Sequence, residues 1–169
     1  LTPQVALGQS GKLSRKDKKE VRRAQMELNF QELDSLINSG RFLLKADYLR
    51  NNQGNLTPVV STINFIKVEN GEGILQTGSG SGLGYNGVGG VTARGPVGRW
   101  DVDSDKKRLT HTVSFSLLTN IGNYDVLMFI RADNKASATI KGLSPGWLVW
   151  DGELYAPGAS RVFRGQDTI

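Results

Sequence analysis

The sequence predicts a mainly β protein, an antiparallel meander of about eight strands forming a curved sheet or small partly closed barrel, with one N-terminal helix packed on it. Three observations carry this. Apolar residues recur with helical spacing only before Gly40 and alternate with a period of two after it. The alternating segments are short and separated by tight turn signals, and no later stretch has the pattern of a crossover helix. The chain has 169 residues, 38% of them hydrophobic, which suits one domain with its own core.

Residues 1–13 lack periodicity and include Pro3, Gly8 and Gly11, so a flexible leader is expected there, ahead of a single domain over 14–169. A helix over residues 14–39 opens at Ser14, whose hydroxyl can accept from a free backbone amide, and Asp17 suits the positive end. Gly40 supplies the stop. Met26, Phe30, Leu33 and Ile37 stack on one helical face with Leu36 beside them, and the same seam read backwards gives Arg23, Lys19, Lys16 and Lys12. Only the second half of the helix has a face to bury; the basic first half should project into solvent.

Phe42, Leu44, Ala46 and Tyr48 then alternate with Arg41, Leu43, Lys45 and Asp47 as one strand. Residues 59–68 are rich in β-branched side chains, with Ile63 and Phe65 on one face and Ile66 and Val68 on the other. A short strand over 74–77 follows the Asn70-Gly71 hairpin signal. Segments 99–103 and 108–118 flank a charged turn, 124–131 turns at Asp133-Asn134 into 135–141, and 147–155 follows Ser144-Pro145-Gly146. His111, Val113, Phe115 and Leu117 form a dry face opposite Thr110, Thr112, Ser114 and Ser116. The next strand is apolar on both faces, Tyr124, Val126, Met128 and Ile130 against Leu127 and Phe129, and the helix seam is the expected cover for its outer side. A closed version would be lipocalin-like; an open one leaves an edge strand for pairing.

Composition excludes several chemistries. There is no cysteine, hence no disulfide, thiolate nucleophile or cysteine-held metal, and one histidine cannot build a histidine-rich metal site. No cofactor is expected. The longest apolar run, residues 126–130, is far shorter than the ~20 residues a spanning helix needs. Lys12, Arg15, Lys16, Lys18, Lys19, Arg22 and Arg23, against Asp17 and Glu20, account for the whole net charge of +5. No aromatic residue precedes Phe30, so the arm lacks the stacking groups of a nucleic-acid binder and reads as a solvated arm or a membrane-proximal spacer. A start at Leu1 without methionine or a hydrophobic signal core fits a mature exported protein or a trimmed one.

Motifs that could carry chemistry are few. The stretch from Gly78 to Val91 formally holds a dinucleotide fingerprint at Gly82, Gly84 and Gly87, but no helix pattern follows to receive a pyrophosphate. Close backbone packing or bulges, a flap over a pocket, or plain disorder are the alternatives, and Tyr85 is the only large side chain there. Asp101, Asp103 and Asp105 have calcium-loop spacing, yet Lys106 replaces the turn glycine and Thr112 the closing glutamate, so a charged hairpin tip is expected. His111 is the only imidazole available to a serine-type triad and has no nucleophile elbow beside it. Asp151 and Glu153 share a strand face and are the alternative acid–base pair. Trp147 and Trp150 point to opposite faces and do not make one stacking platform.

The helix running into Ser39-Gly40-Arg41-Phe42, then residues 84–91, then Asp133-Asn134-Lys135-Ala136, then Trp150-Asp151-Gly152-Glu153-Leu154 together resemble DUF4251, an uncharacterised family of exported Bacteroidetes proteins. The resemblance spans residues 14–155, with Trp150 standing where the family pattern has tyrosine. It implies a mostly β, secreted or lipid-anchored periplasmic or outer-membrane-associated protein, and it carries no catalytic residue. It also makes Ser35 in Asp34-Ser35-Leu36 and Thr168 in Asp167-Thr168-Ile169 resemble that phylum's O-glycosylation acceptor, with Thr168 in an expected loose tail the better placed.

The leading functional expectation is a non-enzymatic cell-envelope β domain that binds a small amphiphilic ligand or a partner protein in or on its sheet, with Tyr85, His111, Trp147 and Trp150 as candidate ligand-binding residues. The alternative is a structural or assembly protein whose basic arm meets an acidic surface. A hydrolase using His111 or the Asp151–Glu153 pair is the third reading. Nucleic acid is not an expected partner, and membrane association would come only from an anchor or the arm.

Overall fold

The computed structural model describes residues 14–79, 89–142 and 146–169. The expected leader, Tyr85 and the middle of the glycine-rich segment lie outside the described residues. Helix α1 (Arg15–Asn38) begins with a capping box: Ser14 Oγ accepts from the Asp17 amide and the Asp17 carboxylate accepts from the Ser14 amide. It stops at Ser39, and Gly40 continues with φ +65, a conformation open to glycine without strain. Residues 14–25 are all exposed, while Phe30, Leu33 and Ile37 are buried.

Among the described residues, nine strands follow: β1 (Phe42–Asn51), β2 (Leu56–Pro58), β3 (Phe65–Glu69), β4 (Glu72–Gln76), β5 (Thr92–Asp105), β6 (Thr110–Thr119), β7 (Gly122–Arg131), β8 (Lys135–Lys141) and β9 (Trp147–Tyr155). Strands β3 to β9 pair antiparallel with their sequence neighbours, β3 pairs with β1, and β9 pairs back onto the other edge of β1. This closes an eight-stranded antiparallel barrel, and the three-residue β2 is an extra strand on β1. Closure removes the edges that an open meander would expose.

The interior is filled. Phe42, Leu44, Leu75, Phe115, Met128, Ile130 and Trp150 belong to one continuous buried cluster, and Trp100 lies against Phe42 and Phe115 with ring centroids 5.9 and 5.3 Å away. An eight-stranded barrel is just wide enough for inward side chains to fill it. Leu33 and Ile37 join the same cluster, and α1 touches β5 and β6 near their shared turn. The helix thus closes one end of the barrel. It does not cover the outer face of β7, where Leu127 and Phe129 are 51% and 47% exposed. The expectation from two-faced apolarity is corrected: the seam is buried at the barrel end, where Leu33 and Ile37 join the core, and the wall of β7 stays open.

Three further readings are corrected. Residues 59–68 are not one strand, because a turn occupies 61–64 and β3 begins at Phe65. Strand β5 starts at Thr92, well before residue 99, and bends at a bulge between Gly98 and Asp101, where Arg99 has φ +48. Strand β1 carries a second bulge: Ala46 pairs with Gly152 and Tyr48 with Asp151, leaving Asp47 as an extra residue. The bulge reverses the alternation, so Tyr48 turns outward, 44% exposed, and Leu49 packs on the core.

The wall over β3 and β4 is covered instead by the C-terminal chain. The Phe163 amide donates to Thr62 O at 2.7 Å, and the fully buried Gln76 donates through Nε2 to Ile63 O and Phe163 O while Oε1 accepts from Thr92 Oγ1 and the Gly165 amide. Phe65, outward on β3 beside Gln76, is 1% exposed beneath this strap.

Candidate functional site

His111 sits where the helix meets the barrel and is sealed from solvent. Its ring stacks on Phe30 with centroids 4.3 Å apart and planes within 8°. Nδ1 lies 2.8 Å from Ser104 Oγ, Nε2 lies 3.2 Å from Phe30 O, and Ser104 Oγ also lies 3.1 Å from Asp34 Oδ1. Serine, histidine and aspartate are therefore together, but not wired as a triad. A triad needs serine on one ring nitrogen and the acid on the other; here both are on the Nδ1 side and Nε2 is held by a carbonyl. Burial pushes the His111 pKa below its ordinary value, against the opposing pull of Phe30 O and Asp34. The arrangement holds the helix down.

Asp151 and Glu153 do share the outer face of β9, and both are occupied. Asp151 accepts from Arg50 Nη2 at 3.0 and 3.2 Å and from Ser137 Oγ at 2.7 Å. Glu153 pairs with Lys135 and accepts from the Tyr155 hydroxyl at 2.6 Å. Lys135 holds the Glu153 carboxyl below the usual range, and Glu153 pushes Tyr155 up to about 12. Neither the ion-paired Glu153 nor Tyr155, whose hydroxyl is held protonated by Glu153, is poised to move a proton near neutral pH.

The remaining sequence candidates separate. Trp150 is fully buried, with its Nε1–H lacking a hydrogen-bond partner among the described residues, and Trp147 is 43% exposed on the wall. Trp147, Trp150 and His111 do not line one cleft, and Tyr85 lies outside the described residues. Asp105 caps the β5–β6 turn by accepting from the Lys107 and Arg108 amides. Thr168 is not in a loose tail: its amide donates to Thr92 O and its Oγ1 accepts from the Thr92 amide at 3.1 Å. At the described end of the glycine-rich segment, a Cβ on Gly90 would stand 2.3 Å from Thr77 O, so close backbone approach explains that glycine.

An open apolar surface lies on the outer wall across β6, β7, β8, β9 and β1. Cross-strand register places Phe129 between Thr112 and Ser137, followed by Asp151 and Tyr48. Leu127 lies between Ser114 and Thr139, followed by Val149 and Arg50. The Leu127–Phe129 ridge separates two clefts. One, of about 390 Å³, is lined by Arg99, Asp101, Asp125, Leu127 and Lys141; the other, of about 520 Å³, by Tyr48, Phe129, Arg131, Lys135, Ser137 and Asp151. Each cleft joins an apolar wall to charges of both signs, and the Arg99–Asp125 pair sits on the rim of the first. The sequence marked Leu127 and Phe129 as outward and apolar but assigned them a cover; Tyr48 was hidden by the bulge. Among the described residues, no helix is long and apolar enough to cross a membrane.

A comparison with curated proteins finds no match. Among solved structures, the crystal structure of a DUF4251 family protein from Bacteroides eggerthii DSM 20697 is similar, with 25% identity over 82% of this chain and 94% of that chain and a TM-score of 0.66. The model of the domain of unknown function DUF4251 matches residues 24–154, from the second half of α1 to the end of β9. By that match over most of its length, and by the shared barrel, the chain belongs to the DUF4251 family.

Proposed function

We propose that the protein is a non-enzymatic binding domain that takes an amphiphilic ligand or partner on the outer wall of the barrel, across the Leu127–Phe129 ridge. The observation that carries this reading is the pairing of a filled interior with half-exposed Leu127 and Phe129 between two charged clefts. Such a surface gains from burying the ridge, while Arg99, Lys141, Arg131 and Lys135 and the acids beside them fix orientation. An exported, envelope-facing location belongs to the same proposal. It draws support from the likeness to a Bacteroides family member. Cell fractionation tests it, with the protein expected outside the cytosol.

Native mass spectrometry on gently purified protein tests the binding reading. A retained mass or a co-purified partner is expected, lost in Leu127→Ser/Phe129→Ser without a fall in melting temperature. Retention by that variant, with release by the interior change Trp150→Phe, overturns the reading in favour of a site inside the barrel.

A further inference from the structure

We infer that the basic half of α1 and the β5–β6 turn form one docking surface for an anionic phospholipid bilayer. This surface lies at the helix end of the barrel and does not depend on the outer-wall reading.

Two elements far apart in sequence meet there. At 3.6 residues per turn, Arg15, Lys16, Lys18, Lys19, Arg22 and Arg23 fall within an arc of about 160°. Asp17, Glu20 and Glu27 lie outside that arc, and of these Glu27 reaches one cation, Arg23, at its edge. The stretch is helical, exposed and continuous with the buried seam, and it extends roughly 20 Å beyond Phe30. The β5–β6 turn adds Lys106, Lys107 and Arg108, all exposed. A cleft of about 450 Å³ lined by Glu27, Phe30, Asp34, Lys106 and Leu109 shows that this turn lies against the helix. Arg23 is one helical turn from that cleft, bonded to Glu27 at 3.0 Å. Arg15, Lys16, Lys18, Lys19 and Arg22 form no ion pair with described residues.

The charge therefore belongs to a surface built by the fold and not to an isolated tail. Its complement is a dense sheet of negative charge. Each Lys or Arg held near an anionic membrane adds attraction that falls off within a Debye length. A bilayer fits better than a nucleic acid because, among the described residues, the basic half of the helix and the turn carry no exposed aromatic side chain, and Phe30 at their junction is buried on His111. Val21 and Leu28 are exposed on the side opposite the cations, so the contact is electrostatic and stays at headgroup depth.

Co-sedimentation of the full chain with vesicles is the test, comparing phosphatidylcholine alone with phosphatidylcholine containing roughly one third phosphatidylglycerol. Binding to the anionic vesicles only, abolished by ~0.5 M salt, is expected. Lys16→Glu/Lys19→Glu and, separately, Lys106→Glu/Lys107→Glu should each weaken it about tenfold or more. Circular dichroism melting checks that the variants fold, and Lys→Gln versions replace any that do not. Equal capture by neutral vesicles overturns the proposal. So does full binding by the Lys106/Lys107 variant, or tighter binding to duplex DNA than to anionic vesicles at the same salt.

Discussion

Both ring nitrogens of His111 are engaged where α1 docks, one by Ser104 and the other by a helix carbonyl. With Nε2–H donating to Phe30 O, the neutral ring accepts from Ser104 at Nδ1; the single Ser104 hydroxyl hydrogen then cannot also serve Asp34. Protonation would let Nδ1 donate to Ser104 and free that hydrogen for Asp34, yet burial outweighs this gain and the pKa is lowered. A group whose folded pKa lies below its unfolded value of 6.5 gives full stability above that value and loses it as pH falls toward the folded pKa, because the unfolded chain binds the proton first. Urea denaturation across pH 7.5 to 5 should therefore show the parent losing stability faster than His111→Asn. Parallel loss in both would remove His111 from the account. Gly152 makes a related point about local geometry. A Cβ there would stand 1.8 Å from Lys45 O, opposite the Asp47 bulge, so the glycine in the Trp150-Asp151-Gly152 motif is required by backbone approach and not by chemistry.

Helix α1 divides at the rim of the barrel. Met26, Phe30, Leu33 and Ile37 share one seam by spacing, but burial begins at Phe30. Ile37→Ala should cost about 2–5 kcal/mol of unfolding free energy, whereas Met26→Ala should stay within ~0.5 kcal/mol, both read from urea midpoints. Equal costs would mean that the helix docks along its whole length. That contrast also marks what the sequence could reveal. Periodicity and capping residues are local, so the helix ends, β8 and β9 and the inward set from His111 to Leu117 are legible. The Asp47 bulge is not, because an inserted residue leaves the composition of β1 unchanged while reversing the faces after it. For the same reason Tyr48 is missing from any cleft read off the sequence. Leu127 and Phe129 are legible as outward, and their exposure is not, since it depends on where the helix goes. Asp151 and Glu153 are legible as a pair, while Arg50, Ser137 and Lys135, which occupy them, arrive from other strands.

Closure of the barrel joins its first and last strands, β1 to β9, and the segment after β9 then returns across β3 and β4. The family match ends at residue 154, before this strap, yet the strap completes the bonding of a fully buried side chain. Gln76 loses two of its partners if residues 156–169 are absent, Phe163 O and the Gly165 amide, and Phe65 loses cover. Two hydrogen bonds lost from the Gln76 amide and newly exposed aromatic surface together amount to on the order of 3 kcal/mol. A chain ending at Tyr155 should consequently unfold at lower urea than the parent and show faster amide exchange in β3 and β4, with β6 and β7 protected as before. Gln76→Ala in the full chain separates the two contributions, since it removes the amide and leaves the strap in place. If truncation leaves both the urea midpoint and the β3–β4 exchange unchanged, the strap merely lies on a wall that is already complete, and Ile63 O and Thr92 Oγ1 suffice for Gln76.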